Sequence, residues 1–390
     1  MKKLCIKNAN AVLENEVKNV NIILGDGKIL NISDSIPEDC DVVDAEGKYV
    51  TPGIIELHSH GAGGFDFCDL SDKANENIAK THLRHGVTLV CPTLMSASFE
   101  RIKEFFDVYR RTKETPCGRL LHKVHLEGPY LSPLMCGAQR PDIIRCPSKD
   151  EVDELYDIGS DIIGRIGIAP EIDGVEYLTH KFRDKDVIFS IAHSNATAED
   201  VRKAMDMGFN HVTHLYSATT TVRKINQRIT AGILEAAYLY DDINIELIGD
   251  GRHVAKETLK MAVKVKGADK INLTSDSMRA AGQSGVSESY LGDICPENRV
   301  IIHDKVAKLP DMSFYAGSIA TGDWMMRNAV VDYEIDIVDA VKMLCSTPAR
   351  LTGEKDKGVI ASGKDADIVI WNDDFSVNSV YLCGEEQKLS

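Results

Sequence analysis

Histidine and carboxylate side chains recur in this chain directly after short apolar runs. The first two follow "YVTPGIIEL", and the others end the runs in "VHLEGPY", "SIAHSN", "VTHLY" and "LTSDS". Imidazole nitrogens and carboxylate oxygens bind metal ions, and a carboxylate can also act as a general base. The six residues that share this position are candidate ligands or bases: His58, His60, Glu127, His193, His214 and Asp276.

The spacing of His58 and His60 allows both side chains to reach one ion, because residues i and i+2 of an extended segment project to the same side. An isolated His-x-His pair is more often two polar side chains at the end of a strand. The other candidates at the ends of apolar runs favour metal ligation instead. Imidazole and carboxylate ligands suit Zn, Fe, Mn, Co or Ni, and the ligand types alone do not choose among them.

A parallel barrel would bring these side chains to a common rim. Apolar runs alternate with amphipathic segments of helix length, such as 98–111, 197–207 and 255–266, which is typical of βα units. Eight strands in roughly 300 residues predict a (β/α)8 TIM barrel, whose catalytic residues follow the strand ends. The predicted strands are 54–57, 87–91, 120–126, 162–168, 187–192, 211–213, 244–248 and 271–274.

The remaining segments interrupt or flank this pattern. Residues 279–309 contain many Gly and Ser residues, and we predict a long excursion there, followed by helices near 318–330 and 335–345. Both chain ends consist of short strand-like runs and turns, such as "NVNIIL" and "SVNSVYLCG". We therefore predict a small β-sandwich-like domain from residues 1–52 and 357–390, and a barrel domain over 53–356.

The composition excludes several classes of protein. A chain of 390 residues with 43% hydrophobic residues can bury a large core. The formal net charge of -15 argues against nucleic-acid binding, which needs clustered Lys and Arg. No run approaches the roughly 20 apolar residues of a membrane span, so we expect no membrane partner. The ten cysteines include no CxxC pair, which predicts free thiols and a cytoplasmic location.

Longer motifs around the candidates resemble the N-acetylglucosamine-6-phosphate deacetylases of the amidohydrolase superfamily. The matching segments are "TPGIIELHSHG", "HLEGPYLSP" with "GAQ" after it, "AHSNA", "THLYSA", "GDGRHV", "SDSMRAAG", "YAGS" and "GVIASGKDADIVIW". "HLEGP" together with "THLY" is specific, whereas "GKDADIV" is shared by the wider superfamily. The resemblance covers nearly the whole chain and implies hydrolysis of the acetamide of an amino-sugar phosphate.

The resemblance also implies a role for each motif residue. A divalent metal, zinc or iron, would be held by Glu127, His193 and His214. His58 and His60 would form a second metal position that Glu127 can bridge, giving one or two ions per subunit. Asp276 would be the general base, and the protein would be a homodimer. Residues expected to line the sugar-phosphate pocket are Ala138, Gln139, Ser217, Ala218, His253 and Arg223.

The chain departs from the family pattern in three places. Where "THLYNAM" is usual, it has Ser217, Ala218 and Thr219. Gln139 stands where many members have His, and its amide can still donate a hydrogen bond. The usual "REPG" run is replaced by "RKINQRITAG", so the arginine that a neighbouring subunit would offer to the phosphate falls on Ile225. Its place could be taken by Arg223, Lys224 or Arg228, in the same subunit or across the dimer interface.

Three other functions remain compatible with the sequence. A deacetylase of another N-acyl amino sugar, such as N-acetylgalactosamine 6-phosphate, would use the same residues. A cyclic-amide hydrolase fits less well, because no lysine stands at the end of the third strand to carry a carboxylated metal bridge. A non-catalytic sugar-phosphate sensor would be expected to lack the base or a ligand, and this chain keeps both.

Overall fold

The computed structural model of the protein describes residues 3–389, and its largest unit is a parallel barrel. All eight predicted strands are present, and each lies next to its neighbour in the sequence order. Their C-terminal ends therefore meet at one rim, as the TIM-barrel prediction requires. The strands are Ile54–Ser59, Val87–Leu94, Val124–Glu127, Ile163–Ile168, Ile188–Ile191, Phe209–Val212, Asn244–Ile248 and Ile271–Thr274.

Contacts between the first and eighth strands close the barrel. The N–H of His60 donates to the carbonyl of Ser277 at 2.8 Å, and Ser59 forms a parallel bridge with Ser277. The buried carboxylate of Glu56 accepts from the backbone N–H of Ser275 at 2.9 Å and from the hydroxyl of Thr274. This seam places the His58–His60 segment directly beside the end of the eighth strand.

Helices pack their apolar faces against the barrel. Phe105, Val201 and Leu259, one from each helix predicted above, belong to the same buried cluster as the strand residues. Thr197 starts one of these helices through a reciprocal capping box with Asp200. The α-helices are Asp72–Arg84, Phe99–Lys113, Lys149–Gly159, Val175–Phe182, Ala198–Asp206, Ile233–Leu239, Lys256–Lys266, Gly322–Arg327, Ile337–Val341 and Thr347–Leu351.

The structure corrects the starts of three predicted elements. The third strand begins at Val124 instead of residue 120, because Pro116–Leu120 forms a 3₁₀ turn that buries Leu120 before the chain enters the sheet. The two helices after the excursion begin at Gly322 and Ile337 and pass into π-helical turns. Further short elements are the 3₁₀ turns Phe67–Asp69, Pro133–Met135, Ala268–Lys270 and Pro296–Asn298, the π turns Asn328–Asp332 and Lys342–Ser346, and the strand pair Gly61–Ala62 and Phe65–Asp66.

The predicted excursion is more regular than its sequence indicates. Three strands within it and a fourth beyond residue 309 form a four-stranded antiparallel sheet, here called the rim sheet, which joins the end of the eighth strand through a bridge between Ser277 and Ser318. Val300, Ala307 and Ala316 form its apolar face. Its strands are too short and irregularly spaced to give a clear alternation in the sequence. They are Glu288–Tyr290, Arg299–His303, Val306–Lys308 and Tyr315–Ser318.

Both chain ends contribute to one mixed sheet, which agrees with the predicted fold class. The C-terminal and N-terminal strands meet where Ile368–Trp371 pairs with Tyr49–Pro52. Domain boundaries at residues 52 and 357 remain a prediction. The order across the sheet is Glu385–Glu386, Val377–Leu382, Ile368–Trp371, Tyr49–Pro52, Lys3–Val12, Val17–Gly25 and Lys28–Ser33, with Cys40–Asp44 beside Lys3–Val12.

Trp371 connects this sheet to the barrel. Its indole is 1% exposed and belongs to the barrel's apolar cluster, and its N–H donates to the hydroxyl of Thr51 at 2.8 Å. The ring packs so closely on the turn after the first helix that a Cβ at Gly86 would lie 2.8 Å from it. One side chain therefore supports both the strand pairing and the contact with the barrel.

We predict that Trp371→Ala lowers the free energy of unfolding by about 3–5 kcal/mol, because it leaves a cavity and removes the hydrogen bond from the indole to the Thr51 hydroxyl. Trp371→Phe keeps most of the apolar contact and should cost clearly less. Denaturant unfolding followed by circular dichroism measures both. Unfolding midpoints for Trp371→Ala equal to those of the parent protein would contradict this role.

Candidate metal and active site

The candidate residues are buried at the C-terminal rim of the barrel. Glu127 ends the third strand, and the loops after the fifth, sixth and eighth strands carry His193, His214 and Asp276. These last three residues have left-handed backbone, with φ of 43°, 27° and 48°. Such backbone costs a non-glycine residue about 1–3 kcal/mol and is concentrated at functional sites. The strand ends thus turn sharply and direct these side chains towards one point.

Glu127 lies at that point. Its Oε1 is 3.2 Å from His193 Nε2 and 2.9 Å from His214 Nε2, while its Oε2 is 3.3 Å from His60 Nε2. His58 Nε2 lies 3.6 Å from Oε1. Two groups with ligand atoms within 4.8 Å of one another share this carboxylate: Glu127, His193 and His214, and Glu127, His58 and His60.

The tautomers of two histidines show that this arrangement fits a cation. His193 Nδ1 lies 3.0 Å from the carbonyl of Met135, and His214 Nδ1 lies 3.2 Å from the carbonyl of Ser217. A carbonyl can only accept, so Nδ1 carries the proton in each ring. In the neutral rings, Nε2 then turns a lone pair towards the carboxylate of Glu127. A metal ion between these acceptors would satisfy all of them.

Glu246 hydrogen-bonds His58, which belongs to the second ligand group. Its Oε1 is 2.9 Å from His58 Nδ1 and accepts from the N–H of His214 at 3.2 Å, and its Oε2 accepts from Arg165. His58 Nε2 has no hydrogen-bond partner within residues 3–389 and is fully buried. Metal-binding histidines characteristically have their second nitrogen fixed by a carboxylate in this way. Gly137 allows the loop on the opposite side to approach, since a Cβ there would lie 3.3 Å from His193.

Opposite charges compensate each other within the site. Burial disfavours the charged form of His58, but the carboxylates of Asp276 and Glu127 outweigh burial and raise the pKa of His58 well above its usual value. Burial by itself would raise the pKa of Asp276. Positive charge on the neighbouring rings of His58 and His60 outweighs burial and lowers this pKa. Asp276 Oδ1 lies 3.3 Å from His60 Nε2. The site therefore keeps Asp276 ionised, which a general base requires.

A pocket of about 590 Å³ opens over these residues. Its walls include five of the six predicted pocket residues, namely Ala138, Gln139, Ser217, Ala218 and His253. The Gln139 amide donates to Glu127 Oε2 at 2.7 Å, and its carbonyl accepts from the N–H of Ser96 at 3.0 Å. His253 Nδ1 lies 2.8 Å from Asp250 Oδ2, which leaves Nε2 available. Contacts of these residues with a substrate remain a prediction.

Arg223 does not line this pocket. It begins a hairpin formed by Arg223–Ile225 and Arg228–Thr230, and its guanidinium donates to the side chain and the carbonyl of Asn195. A contact between Arg223 and substrate within one subunit would need another conformation, and a contact across a dimer interface remains a prediction. Arg252, the neighbour of His253, pairs with Asp304 of the rim sheet at 3.2 Å.

Sequence reasoning missed three residues of the site. Arg165 and Glu246 lie inside the apolar strands "IGRIGI" and "NIELI", and a charged residue in a fully buried strand is the signal that could have identified them. Lys308 lines the pocket from the rim sheet. Its sequence context, in a segment read as an irregular excursion, gave no indication of its position.

Comparison with known proteins agrees with this geometry. The model of the amidohydrolase family matches residues 49–386. The chain belongs to the amidohydrolase family. This amidohydrolase is also similar to individual proteins over nearly its whole length.

The N-acetylglucosamine-6-phosphate deacetylase of Haemophilus influenzae is 31% identical over 348 residues, which is 88% of this chain and 87% of that protein. The enzyme of the same name from Bacillus subtilis is 30% identical over 96% of this chain and 94% of its own length. A crystal structure of N-acetylglucosamine-6-phosphate deacetylase from Pasteurella multocida aligns with a TM-score of 0.91, 28% identity and 99% coverage of both chains. The resemblance read from the motifs is confirmed.

We predict that His193→Ala lowers the metal content of the purified protein, because it removes one of the three ligand atoms of the first group. The double variant His58→Ala, His60→Ala should lower it as well if the second group also binds an ion. His180→Ala removes an exposed imidazole from a helix and is the control. Inductively coupled plasma mass spectrometry gives metal equivalents per chain.

Metal content in His193→Ala equal to that of the parent would contradict the first group. Equal content in the double variant would return His58 and His60 to a structural role. Circular dichroism of each variant checks that the barrel is still folded.

Proposed function

We propose that the protein is a metal-dependent deacetylase that hydrolyses N-acetylglucosamine 6-phosphate to glucosamine 6-phosphate and acetate. The observation that carries the proposal is the position of Glu127 among four imidazoles, beside Asp276, at the base of an open pocket. The names of the relatives from Haemophilus influenzae and Bacillus subtilis support this substrate. The reaction class is that of the amidohydrolase family: hydrolysis of an amide.

Glu127, His193 and His214 would hold one divalent ion, and His58 and His60 would hold a second with the same carboxylate. The chemistry that a divalent ion supplies in such a site is activation of water at neutral pH and polarisation of the carbonyl oxygen of the substrate. Imidazole and carboxylate donors suit zinc and iron, which are the metals we propose. The lone pairs that face each other at Glu127 support binding of at least one ion.

Asp276 would move the proton that the reaction requires. Its carboxylate takes a proton from the attacking water and delivers it to the leaving nitrogen, while the hydroxyl remains on the acetyl carbon. Acetate and a free amine result, and the carboxylate is regenerated. The position of Asp276 next to His58 and His60 supports this role, because positive charge at this point, on the rings or on an ion that they hold, favours its ionised form.

Gln139 would help to orient the reacting groups. Its carbonyl is occupied by the N–H of Ser96, so the amide nitrogen is directed at Glu127. The carboxylate of Glu127 is thereby fixed between this amide and the imidazoles. Ala138, Ser217 and Ala218 form the adjoining wall, and we propose that they contact the sugar.

We propose that the protein acts in the cytoplasm as a homodimer. All ten cysteines are unpaired in the structure, which supports a reducing compartment. The hairpin that contains Arg223 exposes apolar side chains, with Val222 49% and Ile229 63% exposed, and such side chains favour a contact surface. Within residues 3–389, no helix has the length and apolar character needed to cross a membrane.

Acetate release from a panel of sugars tests the proposed function. The metal-loaded protein should have its highest kcat/KM with N-acetylglucosamine 6-phosphate, compared with N-acetylgalactosamine 6-phosphate and unphosphorylated N-acetylglucosamine. A higher value for the galacto sugar would reassign the substrate and keep the reaction. No acetate from any of the three would contradict the function.

Asp276→Asn should lower kcat by about 10²–10⁴-fold, because the amide keeps the shape but cannot accept the proton. The KM should stay within a few-fold of the parent value, since the pocket walls are unchanged. Asp269→Asn, on the turn before the eighth strand and outside the pocket, is the control. A kcat for Asp276→Asn within a few-fold of the parent would place the base elsewhere.

A further inference from the structure

The rim sheet brings one cation to the pocket. Lys308 ends the strand Val306–Lys308 and is the only Lys or Arg among the described residues that line the pocket. The pocket wall formed by the rim sheet also contains Phe314 and Tyr315. Lys308 therefore lies in the same cavity as Glu127 and Asp276, although more than 30 residues separate it from the end of the eighth strand.

The ammonium of Lys308 takes part in no ion pair that stabilises the described residues. Within residues 3–389 it forms no ion pair or hydrogen bond, and its contact is the ring of Tyr315, whose centroid lies 5.6 Å from Nζ. Two arginines considered above are already engaged, since Arg252 pairs with Asp304 and Arg223 donates to Asn195. A half-buried cation without an acidic partner is unusual in a protein with a net charge of -15.

Tyr315 holds Lys308 and His253 on one wall. It pairs with Lys308 in the antiparallel register of the rim sheet, and its ring lies 4.7 Å from that of His253 in an edge-on contact. Asp304 lies on the turn between the rim-sheet strands Arg299–His303 and Val306–Lys308. Its ion pair with Arg252 connects this hairpin to the loop after the seventh strand. The two side chains are thereby positioned to contact one group in the pocket.

His253 presents one ring nitrogen at this wall. The Asp250 carboxylate can only accept from His253 Nδ1, so Nε2 is the ring nitrogen left available to a ligand. The ammonium of Lys308 has three donors and no acceptor, which suits phosphate oxygens. A dianionic ligand entering this acidic protein would find its positive partner in Lys308.

We propose that Lys308 binds the phosphate of the substrate and sets the preference for phosphorylated over plain amino sugars. This inference rests on the proposed function and adds to it the residue that determines specificity. It places the phosphate subsite at the wall of Lys308, Tyr315 and His253, within one subunit. The replaced "REPG" run is consistent with this arrangement, because the chain then needs no arginine from a second subunit.

Lys308→Met tests the proposal, with Lys305→Met as the matched control. Lys305 lies on the turn of the same hairpin, is exposed with its Nζ 5.7 Å from the Trp324 ring, and does not line the pocket. Both variants change the net charge equally, so a long-range field effect would appear in both. Lys308→Arg keeps the charge and a phosphate-binding group.

The readout is kcat/KM for N-acetylglucosamine 6-phosphate and for plain N-acetylglucosamine. Lys308→Met should lower the ratio of the two values about 10-fold to 100-fold, mainly through KM, since a charge-assisted hydrogen bond is lost. Lys305→Met should leave this ratio within about twofold of the parent value, and Lys308→Arg should retain most of the preference for the phosphorylated sugar. Calorimetry with glucosamine 6-phosphate should show weaker binding to Lys308→Met by a similar factor.

Two results would overturn the proposal while acetate release by the parent still supports the proposed function. The first is an unchanged ratio in Lys308→Met, including an equal loss of kcat/KM with both sugars. The second is a fall of the ratio in Lys305→Met as large as that in Lys308→Met. A parent protein that releases acetate from neither sugar would overturn the proposed function, and this inference with it.

Discussion

The carboxylate of Glu246, buried in the seventh strand, is the interaction on which the site depends. It accepts from the ring of His58, the backbone of His214 and the guanidinium of Arg165, which connects strands from opposite parts of the barrel. Burial opposes ionisation of Glu246, but Arg165 and His58 hold its pKa well below the usual value. Removing one partner of such a buried ion pair costs about 3–5 kcal/mol. Arg165 and Glu246 therefore form a buried polar layer, the polar floor of the site, which positions His58 and His214.

The fixed hydrogen bonds of the histidines decide what this floor can hold. Carbonyl groups occupy Nδ1 of His193 and His214, and Glu246 occupies Nδ1 of His58, so the Nε2 atoms of all three are directed at Glu127. A cluster of acceptors with this geometry is complementary to a cation. The left-handed backbone at His193 and His214 is the local cost of aiming the rings, and the packed barrel around them provides the stability that offsets it.

The rim sheet separates the chemistry of the barrel from the choice of ligand. The barrel rim supplies imidazoles and carboxylates, whereas Lys308 and Tyr315 come from an insertion after the eighth strand. The overall charge of -15 would repel a phosphorylated sugar at long range, so a local cation in the pocket is needed for binding. Loops and insertions at this face of a TIM barrel can change without disturbing the strands that hold the catalytic groups.

The sequence alone determined the barrel, the sheet from both chain ends and the residues at the strand ends, because these follow from local alternation and from motifs around His58 and Glu127. It could not determine the start of the third strand, where a 3₁₀ turn with an apolar residue resembles a strand. Only the tertiary structure revealed the contacts of Glu246 and the position of Lys308 in the pocket. Glu246 contacts residues 188 and 32 positions away, and Lys308 reaches the pocket through a short-stranded sheet. Contacts between such distant segments depend on how the strands close and fold back, which no local pattern records.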